Sequence, residues 1–171
     1  MRFYKKIFLI FFLAVLSACE KEIIPKKHTS FDKQRIEQFV LTETKDGKLK
    51  TILAADYAEI DEKNNTTHLR NPEIKFYSDG KYTSTLTSES ADVNLTSYDV
   101  SGNGKCSIEG CDGERLDTTD LKYDAEKDLF YSDNPVKIKK GGKTLYGQSF
   151  KSDTKLSKIT IEKQVIEIEE K

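Results

Sequence analysis

The chain has 171 residues, with 28 basic and 29 acidic side chains and a net charge of -1, so its charge gives no global pull toward nucleic acid or an anionic membrane. Its length suits one domain. Hydrophobic residues make up 36% and charged residues 33%, with no Trp, one Met and three Cys; the apolar residues are interspersed rather than depleted, which excludes a disordered chain and fits a thin or open core.

Residues 1–18 read as a lipoprotein signal peptide. Arg2, Lys5 and Lys6 make a basic start, and Ile7 to Leu16 is an apolar run too short to span a bilayer comfortably. The run ends in Leu16-Ser17-Ala18-Cys19, small residues before a thiol, as cleavage ahead of a lipid-modified cysteine requires. The competing reading, an uncleaved N-terminal anchor, is disfavoured by the shortness of the run. Acyl chains on Cys19, at ~0.8 kcal/mol per buried CH₂, would make a durable membrane anchor. Residues 19–30 carry Pro25 and several charges and read as a tether. Glu20, after the cysteine, leaves inner and outer membrane both open.

Residues 31–171 repeat. Asp46-Gly47, Asp79-Gly80, Asp112-Gly113 and Gly141-Gly142 are dipeptides that tolerate positive φ at both centres of a type I′ hairpin turn. A second punctuation mark follows later in each repeat: Asn71-Pro72, Asn103-Gly104, Asn134-Pro135 and Lys163-Gln164. Between these marks the residues alternate with period two. Ile74 and Phe76 share one face, with Glu73 and Lys75 on the other; Ala91, Val93 and Leu95 alternate with Asp92, Asn94 and Thr96. The pattern predicts short antiparallel strand pairs stacked along an axis, each contacting mainly its neighbours. Two stretches dissent. Ser30 to Val40 can be read as a capped helix, an alternative to a first strand near Phe39 to Thr44. Leu53 to Ile60 is Ala-rich, but its place in the repeat calls for a strand.

The constellations that carry chemistry are missing from the pattern. Cys106 and Cys111 form a candidate disulfide only if the hairpin turns at Glu109-Gly110; a turn at Asp112-Gly113 places both on one strand, roughly 17 Å apart. With no nearby His they make no convincing metal site. His28 falls in the tether and His68 in a predicted turn, neither with a catalytic partner. Ser101-Gly102-Asn103-Gly104-Lys105 lacks the spacing of a phosphate loop. No nucleophile is paired with a base, so the chain is not read as an enzyme, and no cofactor is expected.

The ordered series of motifs resembles the LptC family of lipopolysaccharide-export proteins over roughly Phe31 to Ile168. The series runs through Phe39 and Leu41, Asp46-Gly47, Leu53-Ala54-Ala55-Asp56-Tyr57-Ala58, Leu69 with Asn71-Pro72, Ser90-Ala91-Asp92 and Gly102. It continues through Leu116-Asp117-Thr118, Leu121-Lys122-Tyr123-Asp124, Ser132-Asp133-Asn134-Pro135-Val136 and Thr144-Leu145-Tyr146-Gly147-Gln148-Ser149-Phe150. The resemblance implies an all-β, open, twisted antiparallel β-jellyroll of the LptA/LptC kind. It also implies a periplasmic place, with the family favouring the inner membrane. In such a protein an apolar groove takes lipopolysaccharide acyl chains from an inner-membrane ABC transporter with LptF/LptG-like permeases and passes them to an LptA-like bridge protein. The lipobox departs from the uncleaved transmembrane helix usual in the family.

Strand parity then selects Ile74, Phe76, Leu86, Val93, Leu95, Ile108, Leu121, Tyr123, Val136 and Ile138 as groove candidates; for any one of them, ordinary core is the competing role. The first strand, with Phe39 and Leu41, and the last, with Ile159, Ile161, Ile166 and Ile168, are candidate docking edges for β-augmentation. The resemblance assigns the first to the transporter and the last to the bridge. Gly147 is expected to be structural, shaping the groove or its exit, with plain turn chemistry as the alternative. A structural or adhesive β-repeat lipoprotein without lipid cargo is the other function considered.

Overall fold

The structure, a computed structural model, describes residues 33–163 and 165–167, the last three by backbone alone. The signal peptide, the tether, Cys19 and His28 lie outside the described residues, as does Ile168.

Among the described residues fourteen strands form one continuous antiparallel sheet. In chain order they are β1 (Gln34–Lys45), β2 (Lys48–Asp61), β3 (Thr66–Arg70), β4 (Glu73–Ser78), β5 (Lys81–Thr87), β6 (Ser90–Asn94) and β7 (Val100–Gly110). Then come β8 (Arg115–Asp124), β9 (Leu129–Ser132), β10 (Val136–Lys140), β11 (Lys143–Gly147), β12 (Ser149–Asp153), β13 (Ile159–Glu162) and β14 (Val165–Glu167). The helix alternative for Ser30 to Val40 fails from Gln34 onward. That residue already pairs with Ile60, and the backbone groups of β1 are spent on β2 rather than on a helical turn.

The sheet is creased into two layers because its long strands change partners halfway. The first half of β2 pairs with β4 and its second half with β3. The first half of β7 pairs with β6 and its second half with β5. The first half of β8 pairs with β10 and its second half with β9. Following these halves gives layer A as β3, β6, β9, β12 and β13 with the matching halves of β2, β7 and β8. Layer B is β4, β5, β10, β11 and β14 with the other halves.

The two kinds of punctuation sort cleanly onto this architecture. All four Asp-Gly or Gly-Gly pairs are hairpin tips of layer B. At Asp46-Gly47, Asp79-Gly80 and Gly141-Gly142 both residues have positive φ, as a type I′ turn demands. The fourth differs: only Gly113 is positive, and Gly113 N–H donates to the Gly110 carbonyl while Gly110 N–H donates to Glu114, a three-residue loop.

The first three of the second marks are the crease; Gln164 of the fourth lies outside the described residues. Asn71-Pro72 carries the chain from β3 to β4, and Asn134-Pro135 carries it from β9 to β10, where a missing proline N–H breaks the strand. Asn71 donates its N–H to Glu89 and its amide to Asp56, while Thr118 donates its hydroxyl to the Pro135 carbonyl. At Asn103-Gly104 the strand bulges instead of breaking: the register shifts between Asn103 and Cys106, and Gly104 has φ 87. A side chain there would collide with Glu89. The phosphate-loop lookalike is therefore a β-bulge inside β7.

Candidate functional site

Inward-facing residues of layer B line up across the sheet into one aliphatic row. Successive register partners are Leu41, Leu53, Ile74, Leu86, Ile108, Leu116, Ile138 and Leu145, with the backbone of Ile166 at the end. From Leu53 to Ile138 every member is buried, each stabilising the fold by ~1.5–3 kcal/mol relative to exposure. Layer A faces this row with a second row in which small groups flank a leucine: Ala58 pairs Leu69, Leu69 pairs Ala91 and Ala91 pairs Gly102.

The two layers part company at the β1 end. There a cleft of about 310 Å³ opens between Leu41, Leu53, Ile74 and Phe76 on one side and Val93, Val100 and Tyr123 on the other. That volume is at the lower end of ordinary ligand pockets. Leu41 and Tyr98 guard its mouth, 45% and 51% exposed. Glu43 also lines it and pairs with Lys50 at 3.4 Å, which leaves the only charged group of the lining partly neutralised at the rim.

An aromatic trio forms the back wall. Phe76 of layer B meets Tyr123 of layer A at 4.7 Å between ring centres and Phe130 at 4.9 Å, and Tyr123 and Phe130 are 5.5 Å apart. The Tyr123 hydroxyl donates to Asp128 at 2.8 Å. Burial, and secondarily Asp128, drives that phenol far above its usual range, so it stays neutral and donating.

Of the ten groove candidates, Ile74, Phe76, Val93 and Tyr123 line this open cleft. Leu86, Ile108, Leu121, Val136 and Ile138 are buried in the filled interior beyond it. Leu95 corrects the parity argument: it is 36% exposed because β6 ends at Asn94. The Asn94 side chain caps the N–H groups of Thr96 and Ser97, starting a turn one residue before alternation would have carried Leu95 inward. His68 is also corrected, from turn to strand β3, where its Nδ1 lies 2.9 Å from Asp92 on the exposed face.

The candidate edges stand at opposite ends. Among the described residues β1 pairs with β2 alone, β13 with β12 alone and β14 with β11 alone. Phe39, Ile159 and Ile161 are partly buried against the core. Gly147, on β11, is a close-approach glycine: a Cβ there would run into Cγ2 of Ile161 and lie 3.2 Å from the Glu162 carbonyl. Layers A and B are pinched together at that point. Cys106 is buried and Cys111 exposed in the turn, and both are free; the turn at Asp112-Gly113 puts Cys111 beyond the strand that holds Cys106. Burial pushes the Cys106 thiol up to about 11. Among the described residues no cluster of His, Cys, Asp and Glu could hold a metal ion.

Sequence reasoning missed the layer A tips. Their turns lack the Gly signal and instead hold Asn65, Tyr98, Asp128 and Leu156 at positive φ. Two of the four are bulky residues that no turn rule selects. Tyr98 is the one that reaches the cleft.

A family model described as lipopolysaccharide-assembly, LptC-related, matches residues 7–167. Among solved structures, the chain is similar to LptH, the LptA-homologous periplasmic component of the lipopolysaccharide transport device of Pseudomonas aeruginosa. The two share 17% identity over 65% of this chain and 80% of that one, with a TM-score of 0.53, a likeness of fold. No curated protein matches the chain. The match over nearly the whole sequence, on a creased β-jellyroll of this kind, makes the chain a member of the LptC-related family of lipopolysaccharide-assembly proteins.

Proposed function

We propose that the cleft at the β1 end receives lipopolysaccharide acyl chains and that the aliphatic row beneath it is their track. On this reading β1 is the side from which an LptF/LptG-type transporter loads the lipid. The β13 and β14 edges are the side toward an LptA-like bridge, and lipid on Cys19 holds the domain at the membrane. The observation that carries the reading is the continuity between an open apolar mouth, marked by half-exposed Leu41, and eight in-register aliphatic side chains. Such contacts are non-directional, so a chain can slide along them without chemistry at any point. The energy for movement comes from the transporter.

The filled interior beyond the aromatic trio favours a second reading, a structural or adhesive lipoprotein without cargo. Photo-crosslinking in cells decides between them, with the probe at Phe76, inside the cleft, and separately at Lys75, on the outer face. The lipid reading expects a lipopolysaccharide adduct from position 76 and none from 75. Adducts from neither, with the protein folded and abundant, would leave the structural reading standing.

A further inference from the structure

The turn between β12 and β13 is written in polar residues, Thr154-Lys155-Leu156-Ser157-Lys158, yet its leucine is in the core. Leu156 is 0% exposed at φ 54, a backbone conformation that a leucine adopts only when its surroundings hold it there. The strands on either side belong to layer A, but the turn is fastened to layer B. The buried Ser84 hydroxyl donates to the Thr154 carbonyl at 2.6 Å, and the Lys140 ammonium donates to the Leu156 carbonyl at 3.1 Å while pairing with Glu114 at 3.3 Å. The leucine lies over Gly110, where a Cβ would come within 3.1 Å of its Cδ1. Back on its own layer the turn is fixed by Thr154 donating to Asp128 at 3.0 Å.

We infer that this turn is a releasable clasp: it closes the seam between the layers over the rear half of the aliphatic row, and lipid passes beyond the aromatic trio only when it lets go. The inference rests on the proposed lipid function. Among the described residues the front of the seam has no such strap, and that is where the cleft is open. Among the described residues, the turn itself is held to layer B by Ser84, Lys140 and the Leu156 side chain over Gly110, few enough contacts for it to let go while the core beneath stays packed.

The test uses the full-length protein in cells, with photo-reactive probes at Phe76 in the front cleft and at Leu145 near the end of the row. Ser84→Cys with Thr154→Cys, in a Cys111→Ser background, ties the clasp shut, and each single-cysteine variant is the control. With the bond formed, the clasp expects the lipopolysaccharide adduct at Phe76 to persist and the adduct at Leu145 to fall to background, returning in the controls. An undiminished Leu145 adduct in the bonded protein would overturn the clasp and leave the lipid reading intact. Loss of both adducts in bonded and control proteins alike would remove the lipid reading, and the clasp with it. Lys140→Met supplies a second route that does not depend on forming the bond: it frees the Leu156 carbonyl without touching the core. It is expected to raise the Leu145 adduct relative to that at Phe76, and an unchanged ratio would count against the clasp.

Discussion

The front and rear of this jellyroll are made from the same strand repeat and the same aliphatic row, but they end differently. At the front, β1 is exposed along most of its length, Leu41 is half out of the core, and the layers stand apart around a cleft. At the rear the row is sealed: Phe130 and Ile138 are fully buried, Leu156 closes the seam, and Gly147 lets Ile161 press the layers together. One β-sandwich therefore combines a packed half, which supplies stability, with a half that leaves apolar surface uncovered. The proposed lipid function needs that division, because a groove that is empty of side chains contributes nothing to its own core.

The sharpest way to break the comparison is to make the same cut in both halves. Leu116→Ala, in the filled interior, is expected to cost ~2–5 kcal/mol by urea denaturation. Leu41→Ala, in the same row at the open mouth, should cost about 0.5 kcal/mol or less. Equal losses would mean that the front is as well packed as the rear. Next in size, Gly147→Ala should destabilise by ~1–3 kcal/mol through overpacking against Ile161. Adding Ile161→Ala should then cost less than the two changes separately predict, and strict additivity would deny the pinch.

The smallest effects are in titration. With the Cys106 thiol pushed up to about 11 by burial, native protein at pH 8 should react with a thiol reagent at Cys111 but at Cys106 only after unfolding. The sign of the linkage follows. A thiol and a phenol held neutral by the fold contribute stability in full below their ordinary values, 9.0 and 10.0. That contribution is lost as pH rises, because the unfolded chain ionises first. The urea midpoint should thus fall above about pH 9, and fall less steeply in Cys106→Ala with Tyr123→Phe. A fall of the same steepness would place the cause elsewhere.

Much of this architecture was legible in the sequence. The Asp-Gly and Asn-Pro marks located one row of hairpin tips and most of the crease, because positive φ and a missing N–H are local demands that few residues meet. Period-two alternation picked out Ile74, Leu86, Ile108 and Ile138 of the aliphatic row but not Leu53, Leu116 or Leu145. The opposite row of tips was not legible, since Leu156 holds positive φ by virtue of tertiary contacts and Tyr98 holds it in a turn where its N–H bonds back to Asn94, neither by intrinsic preference. The same cause hid the difference between front and rear: alternation reads alike for Ile74, beside open space, and Ile138, in packed core. Leu95 failed for a local reason, a capping Asn94 that ends the strand one residue early. The Ser30 to Val40 helix reading failed from Gln34 on because β1 draws its partners from β2, which helix periodicity cannot sense.

The central claim, that the open front cleft is where acyl chains bind, is tested most directly on two neighbouring residues of β1. Leu41 lines the cleft, whereas Val40, 65% exposed, does not. Both positions are exposed enough to carry a charge without unfolding the domain. Binding of lipopolysaccharide to the purified protein should be lost in Leu41→Asp and retained in Val40→Asp, with unchanged circular dichroism in each. Undiminished binding in Leu41→Asp would contradict the account.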